Sequence, residues 1–192
     1  FDVLPKKWFY DWQDSFAIGK QSENNGDITW TRGYVWGASM VVRRSAFRKL
    51  IQKGFKSNLT DRKGTALSAG GDTEICYALR NDGWKIWYDS RLMFRHHIPP
   101  ERLDWKYLRK LFRGFGQASA VLDVYLKKSS VKFKKQFKGK RPRSKTFELR
   151  KTLHELRKIR YKKLLSYYRK REGDTDLPMI EYSLGRIEGL IS

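Results

Sequence analysis

Apolar positions along the 192 residues change period several times. Residues 1–33 are crowded with Trp, Tyr and Phe but broken by Gly, Asn and Asp, which predicts loop with one short helix over Lys7–Phe16. Tyr34–Arg43, with Val35, Val41 and Val42, predicts a strand. Ser45 is a good N-cap for a short helix, Ala46–Gln52, which stops near Gly54. Residues 54–71 form a long loop by composition, and ordered loops of that length are usually functional. A helix over Asp72–Asp82 follows, closed by Gly83 at C′. Trp84–Tyr88 and Arg91–His97 predict two short strands, the second stopped by Pro99 and Pro100.

Beyond residue 100 the pattern is almost purely helical. Trp105, Leu108, Phe112, Phe115, Leu122 and Tyr125 make an apolar stripe on a long helix over Leu103–Leu126. Residues 127–145 have few apolar side chains and many lysines. Phe147–Arg171 predicts a second amphipathic helix, and Pro178–Ile191 a last one. The fold class expected is therefore α/β over residues 1–100, a long covering helix over 101–126, and a basic α-helical extension over 127–192. So small a sheet looks incomplete. The chain also opens with Phe1 on what reads as mid-protein sequence, so an N-terminal part is expected to be missing.

Charge changes the picture. The formal net charge is +22, which implies a polyanionic partner. About 20 of the 42 basic residues lie between Lys127 and Arg171, against only Glu148 and Glu155 there, so the charge belongs to the extension. A basic amphipathic helix suits an anionic membrane surface, or a solvated face packed on its own core. Aromatics interleaved with basic residues, such as Tyr161, Tyr167 and Tyr168, fit nucleic acid loosely, but no zinc-finger spacing, RNA-recognition signature or phosphate-binding Gly-Lys-Ser/Thr loop is present. No apolar run approaches the roughly 20 residues that span a bilayer, and no signal-peptide pattern opens the chain. The single cysteine, Cys76, excludes an internal disulfide and reads as core filler.

The sharpest chemical signal is Ser68-Ala69-Gly70-Gly71-Asp72-Thr73-Glu74. It sets a carboxylate in the first turn of a helix, beside free backbone N–H groups and after glycines that let a substrate approach. Read alone, Asp72 is a helix cap or a proton acceptor. Five blocks in order narrow the reading: Trp36-Gly37-Ala38-Ser39-Met40-Val41-Val42-Arg43-Arg44, Arg62-Lys63-Gly64, Gly70-Gly71-Asp72-Thr73-Glu74, Gly83-Trp84-Lys85-Ile86-Trp87-Tyr88-Asp89 and Phe94-Arg95-His96-His97-Ile98-Pro99. Together they resemble the bacterial family-2 glycosyltransferases of the GT-A fold, over roughly residues 1–126.

The resemblance implies the acceptor-side half of an inverting enzyme that uses a nucleotide-sugar donor and a saccharide or lipid-linked acceptor, in cell-surface polysaccharide synthesis. It implies Asp72 as general base, although Gly71 stands where the family has glutamate. It implies Trp36, Gly37, Ala38 and Ser39 as the turn facing donor and acceptor, although a second glycine is more usual at Ser39. Arg62, Lys63, Gly71 and Glu74 are carried as substrate contacts. His96, or alternatively His97, is carried as a ligand of a divalent cation (Mn or Mg) held mostly by the missing half. A cytoplasmic location, peripheral on the inner membrane face, and self-association through exposed aromatics complete the expectation. Asp174-Thr175-Asp176 spells the family's metal-binding Asp-x-Asp, but it lies between two helices and reads as a helix break and cap. The competing expectation is a basic nucleic-acid-binding or non-catalytic interaction protein.

Overall fold

A computed structural model describes residues 3–59, 69–137, 142–157 and 172–192. In chain order these form α1 (Lys7–Asp11), a 3-10 turn (Gln13–Phe16), β1 (Gly26–Asp27), α2 (Arg44–Gln52), α3 (Gly71–Asn81), β2 (Trp87–Tyr88), a second 3-10 turn (Pro100–Leu103), α4 (Trp105–Lys132), α5 (Lys145–Arg157) and α6 (Asp176–Ile191). Most of the described residues with regular structure are helical. The β part is one antiparallel pair, with Gly26 opposite Tyr88 and Asp27 opposite Trp87. The expected α/β character is reduced to that ladder.

Several expectations are corrected here. Tyr34–Arg43 and Arg91–His97 are extended but not strands, because their amides meet no neighbouring strand among the described residues. Val41 and Met93 are correspondingly exposed, at 83% and 86%. The Trp84–Tyr88 strand is cut to its last two residues, although the Ile28 amide reaches the Ile86 carbonyl at 2.9 Å and prolongs the contact by one bond. Ser45 is not an N-cap: α2 starts at Arg44, two residues before the expected Ala46, with Arg43 at the cap position and no side chain capping it. The basic segment expected as linker from Lys127 remains helical to Lys132. The Phe147–Arg171 helix is seen from Lys145 to Arg157, and its remainder lies outside the described residues.

α3 ends as its glycine requires. Gly83 has φ +96°, its amide bonds the Arg80 carbonyl, and the Trp84 amide bonds the Leu79 carbonyl, both at 3.0 Å. This is the Schellman closure that an L side chain resists. Asp104 caps α4, accepting the Lys106 amide at 3.2 Å.

Two cores flank α4. One gathers Trp8 and Phe9 of α1 with Trp105, Leu108 and Phe112 of α4 and Leu177 and Ile180 of α6. The other packs Ile28, Ile86 and Tyr88 against Leu50 of α2 and Cys76 and Leu79 of α3. Cys76 is 1% exposed, and burial pushes its thiol up to about 11, as core filler requires. Among the described residues no helix is long and apolar enough to cross a membrane.

α4 and α6 touch backbone to backbone. A Cβ at Gly116 would lie 2.0 Å from the Tyr182 carbonyl oxygen, and one at Gly185 2.0 Å from that of Arg113. Ion pairs flank this seam: Arg109 and Arg113 with Glu181 at 2.5 and 3.1 Å, Arg113 with Glu188, and Arg186 with Asp123 at 2.7 Å. Arg186 also meets Glu148 at 3.1 Å, which ties α5 to α6. Part of the basic excess is thus neutralised inside the helical layer. Gly185→Ala forces the two helices apart and is expected to cost about 3 kcal/mol, seen as a fall of roughly 6–12 °C in the thermal midpoint. An unchanged midpoint contradicts the contact.

Candidate functional site

The start of α3 organises the site. Gly70, at φ +95°, turns the chain into the helix. A Cβ there would press on Ala118 and Leu59, each at 3.4 Å, so the helix start lies close against α4. Asp72 falls in the first turn rather than at the cap. The Gly37 amide donates to its Oδ2 at 2.7 Å, and the Thr73 amide to its Oδ1 at 2.6 Å. These bonds fix the plane of the carboxylate and join two segments 35 residues apart.

The 36–40 turn is held from both sides. The Trp36 amide donates to Gln21 Oε1 at 2.6 Å, and the Met40 amide closes on the Gly37 carbonyl at 3.1 Å. A Cβ at Gly37 would come within 3.2 Å of the Asp72 Cβ, so glycine permits this approach. Ser39 has φ +63°, a left-handed conformation that glycine adopts freely.

A cleft of about 820 Å³ opens at this junction. Asp72 and Thr73 line it from α3, with Trp36, Gly37 and Ala38 beside them. Its other lining includes Arg32, Tyr34, Tyr77, His96, Arg102, and Phe112, Phe115 and Leu122 of α4. Of the residues expected at the site, Asp72, Trp36, Gly37, Ala38 and His96 therefore converge. His97 is exposed and does not line the cleft, so the two histidines separate as neighbours on an extended chain must. Ser39 and Gly71 also fall outside the lining. Arg62 and Lys63 lie outside the described residues. Asp174-Thr175-Asp176 leads into α6, with Thr175 at the cap position and Asp176 its first residue; Asp174 Oδ1 accepts the Asp176 amide at 3.0 Å, and none of the three lines the cleft.

Glu74 does something other than contact substrate. Its side chain is fully buried, at 0% exposure, and does not line the cleft. It accepts the Ser57 hydroxyl at 2.7 Å, the Asn58 amide at 3.0 Å, the Asn58 side-chain Nδ2 at 3.0 Å, the Leu59 amide at 2.9 Å and the Tyr125 hydroxyl at 2.8 Å. Burial pushes its pKa up, but the donors from Leu59, Ser57 and Asn58 outweigh it and hold the carboxyl below its ordinary 4.5. On the other side of the bond, burial and the Glu74 carboxylate push the Tyr125 phenol up to about 12. One carboxylate thus pins the 57–59 loop and α4 to α3.

Sequence reasoning missed Arg32, Tyr34, Tyr77 and Arg102. A signal for the first two was present: Arg32, Tyr34 and Trp36 alternate, which on an extended chain puts three side chains on one face. Among the described residues no group of three His, Cys, Asp or Glu side chains gathers to hold a metal ion. Among the described residues His96 is the imidazole that lines the cleft. In comparisons with family models, with curated proteins and with solved structures, nothing matches this chain.

Because the folded value of Glu74 is depressed, the unfolded state binds its proton first as pH falls. Its stabilisation is complete above the unfolded value and drains away as pH drops through the folded one. Glu74→Gln is expected to cost about 3 kcal/mol at pH 7 by leaving buried amides facing an NH₂ group. Denaturant titrations should show the gap between the parent and this variant closing below about pH 4. A gap constant from pH 7 to pH 3 would contradict the ionised hub.

Proposed function

We propose that this chain is the acceptor side of an inverting, GT-A-type glycosyltransferase in which Asp72 is the general base. Asp72 takes the proton of an acceptor hydroxyl. The acceptor oxygen forms its bond to the anomeric carbon of a nucleotide-sugar from the face opposite the nucleotide. The bond to the diphosphate breaks with its electron pair, and the configuration inverts. The amides of Gly37 and Thr73 keep the carboxylate from swinging away during the transfer.

The observation that carries this reading is a carboxylate at a glycine-flanked helix start, clamped by two backbone amides and lining a cleft large enough for a saccharide. The mostly apolar side chains of α4 facing the same cleft, Phe112, Phe115 and Leu122 among them, suit sugar faces or the neck of a lipid-linked acceptor. The donor-binding half of the fold, with its Asp-x-Asp and most of any Mn or Mg sphere, belongs to a part of the enzyme beyond these residues. Exposed Leu92, Met93, Phe94 and Trp87 form the apolar surface such a half, or a second copy, would cover.

The same reading puts the enzyme in the cytoplasm, peripheral to the inner membrane face and acting in cell-surface polysaccharide synthesis. What supports the membrane contact is the basic extension, whose helix α5 carries exposed Phe147 and Leu153 among Lys145, Arg150, Lys151 and Arg157.

Asp72→Asn, made in the polypeptide that joins this chain to its donor-binding half, is expected to lower transfer by at least about a thousandfold with donor affinity within a few-fold of the parent. A radiolabelled-sugar transfer assay beside a donor-binding titration measures both. Near-normal turnover in this variant would remove the assignment.

A further inference from the structure

From the cleft wall into the interior runs a stack of rings and guanidinium groups. The Arg32 Cζ lies 4.9 Å from the Trp36 ring centre and 4.6 Å from that of Tyr34. Tyr34 meets Tyr77 edge-on, with centroids 6.4 Å apart. Arg80 continues the series, its Cζ 4.2 Å from the Tyr77 centre and 5.4 Å from that of Trp30. π-Faces hold both cations, and neither has a carboxylate partner among the described residues.

The two arginines differ in what remains open. Arg80 is 4% exposed, donates to the Ser129 hydroxyl at 3.1 Å and does not line the cleft. It is the buried end of the stack. Arg32 lines the cleft and donates from Nη1 to the Gln21 carbonyl at 3.2 Å. Its Nε is buried with no hydrogen-bond partner. A guanidinium has five N–H donors; with Nε buried and one Nη1 donor spent on Gln21, Arg32 keeps its remaining Nη1 and Nη2 donors, in a plane set by two rings, for something not in the chain. Arg102 lines the same cleft, also with no ion pair among the described residues. Asp14 and Asp72 line it too, so the anion-binding character is local to Arg32 rather than general to the cleft.

We propose that Arg32, clamped between Tyr34 and Trp36, is the anion-recognising residue of the cleft and takes the diphosphate of a phosphorylated ligand. Phosphate oxygens match the fork two at a time, and an otherwise uncompensated guanidinium in a half-enclosed cleft gains most from a dianion. The proposal rests on the glycosyltransferase reading for its ligand class. That reading allows two sources, the nucleoside diphosphate of the donor and the diphosphate of a lipid-linked acceptor.

Isothermal titration of the chain with inorganic pyrophosphate at 150 mM salt tests it, with nucleoside diphosphates and farnesyl diphosphate as parallel arms. Pyrophosphate should bind the parent, and Arg32→Ala should weaken it at least tenfold. Arg32→Lys keeps the charge but loses the planar fork and its stacking, and it should weaken binding by a similar factor. Lys128→Gln, on a separate hollow lined by lysines, should bind as the parent does and so exclude a general effect of the basic surface. Tighter binding of a nucleoside diphosphate than of pyrophosphate assigns the site to the donor, and tighter binding of farnesyl diphosphate assigns it to the acceptor. Equal binding confines recognition to the diphosphate and also supports the proposal. No binding to the parent, or parent-like binding in both Arg32 variants, overturns it. The glycosyltransferase reading fails separately, on the turnover of Asp72→Asn.

Discussion

A single buried carboxylate holds the pieces of this fold in register. Glu74 sits in α3 without solvent and draws donors from the 57–59 loop and from Tyr125 of α4. Burying a charge is costly unless hydrogen bonds replace its water, and here several do. The consequence is positional. α3 cannot slide or turn on α4 without breaking bonds to the buried carboxylate, so the first turn of α3 is fixed in direction. Asp72, two residues earlier, inherits that direction. It closes the arrangement from the other side by accepting the Gly37 amide. The cleft is what lies between these two anchored segments, with α4 as its far wall.

α4 is the shared element of the whole structure. One stretch of it lies against Gly70 at the start of α3 through Ala118 and Leu122, another packs α6 through Gly116, and its distal turn bonds α3 again through Ser129 and Asn81. The acidic residues of α6 face the arginines of α4, which draws part of the positive charge into a structural seam. The arginine and aromatic stack running inward from the cleft wall is a different use of charge: Arg80 is wholly interior and burial pulls its guanidinium below the usual value, while Arg32 at the other end meets the open space.

Much of the helical part was legible in the sequence. Gly83 marked the end of α3 because only a left-handed residue closes a Schellman turn there, and the Trp105–Phe112 stripe marked the buried side of α4. The strands were not legible, because β-branched and aromatic residues describe a surface that packs, not a ladder. Tyr34–Arg43 packs partly, through Val35, Met40 and Val42, and pairs with no strand. At the site, Asp72 and Glu74 stood together as contacts, yet residues two apart on a helix point about 200° from each other. That angle separates a group facing the cleft from one facing the core, and it was available in the sequence. The destination of Glu74 was not, since its donors come from loop positions with no distinguishing pattern. Arg80 likewise reads as a surface residue until Trp30, Tyr77 and Ser129 are brought around it.

The account turns on Asp72 being the group that receives the acceptor's proton, and chemical rescue tests that role most directly. In the enzyme joined to its donor-binding half, Asp72→Ala should lose transfer, and added formate, small enough to occupy the vacated place beside the Gly37 amide, should restore part of it with the product still inverted. Transfer by Asp72→Ala at the parent's rate without formate would contradict the account.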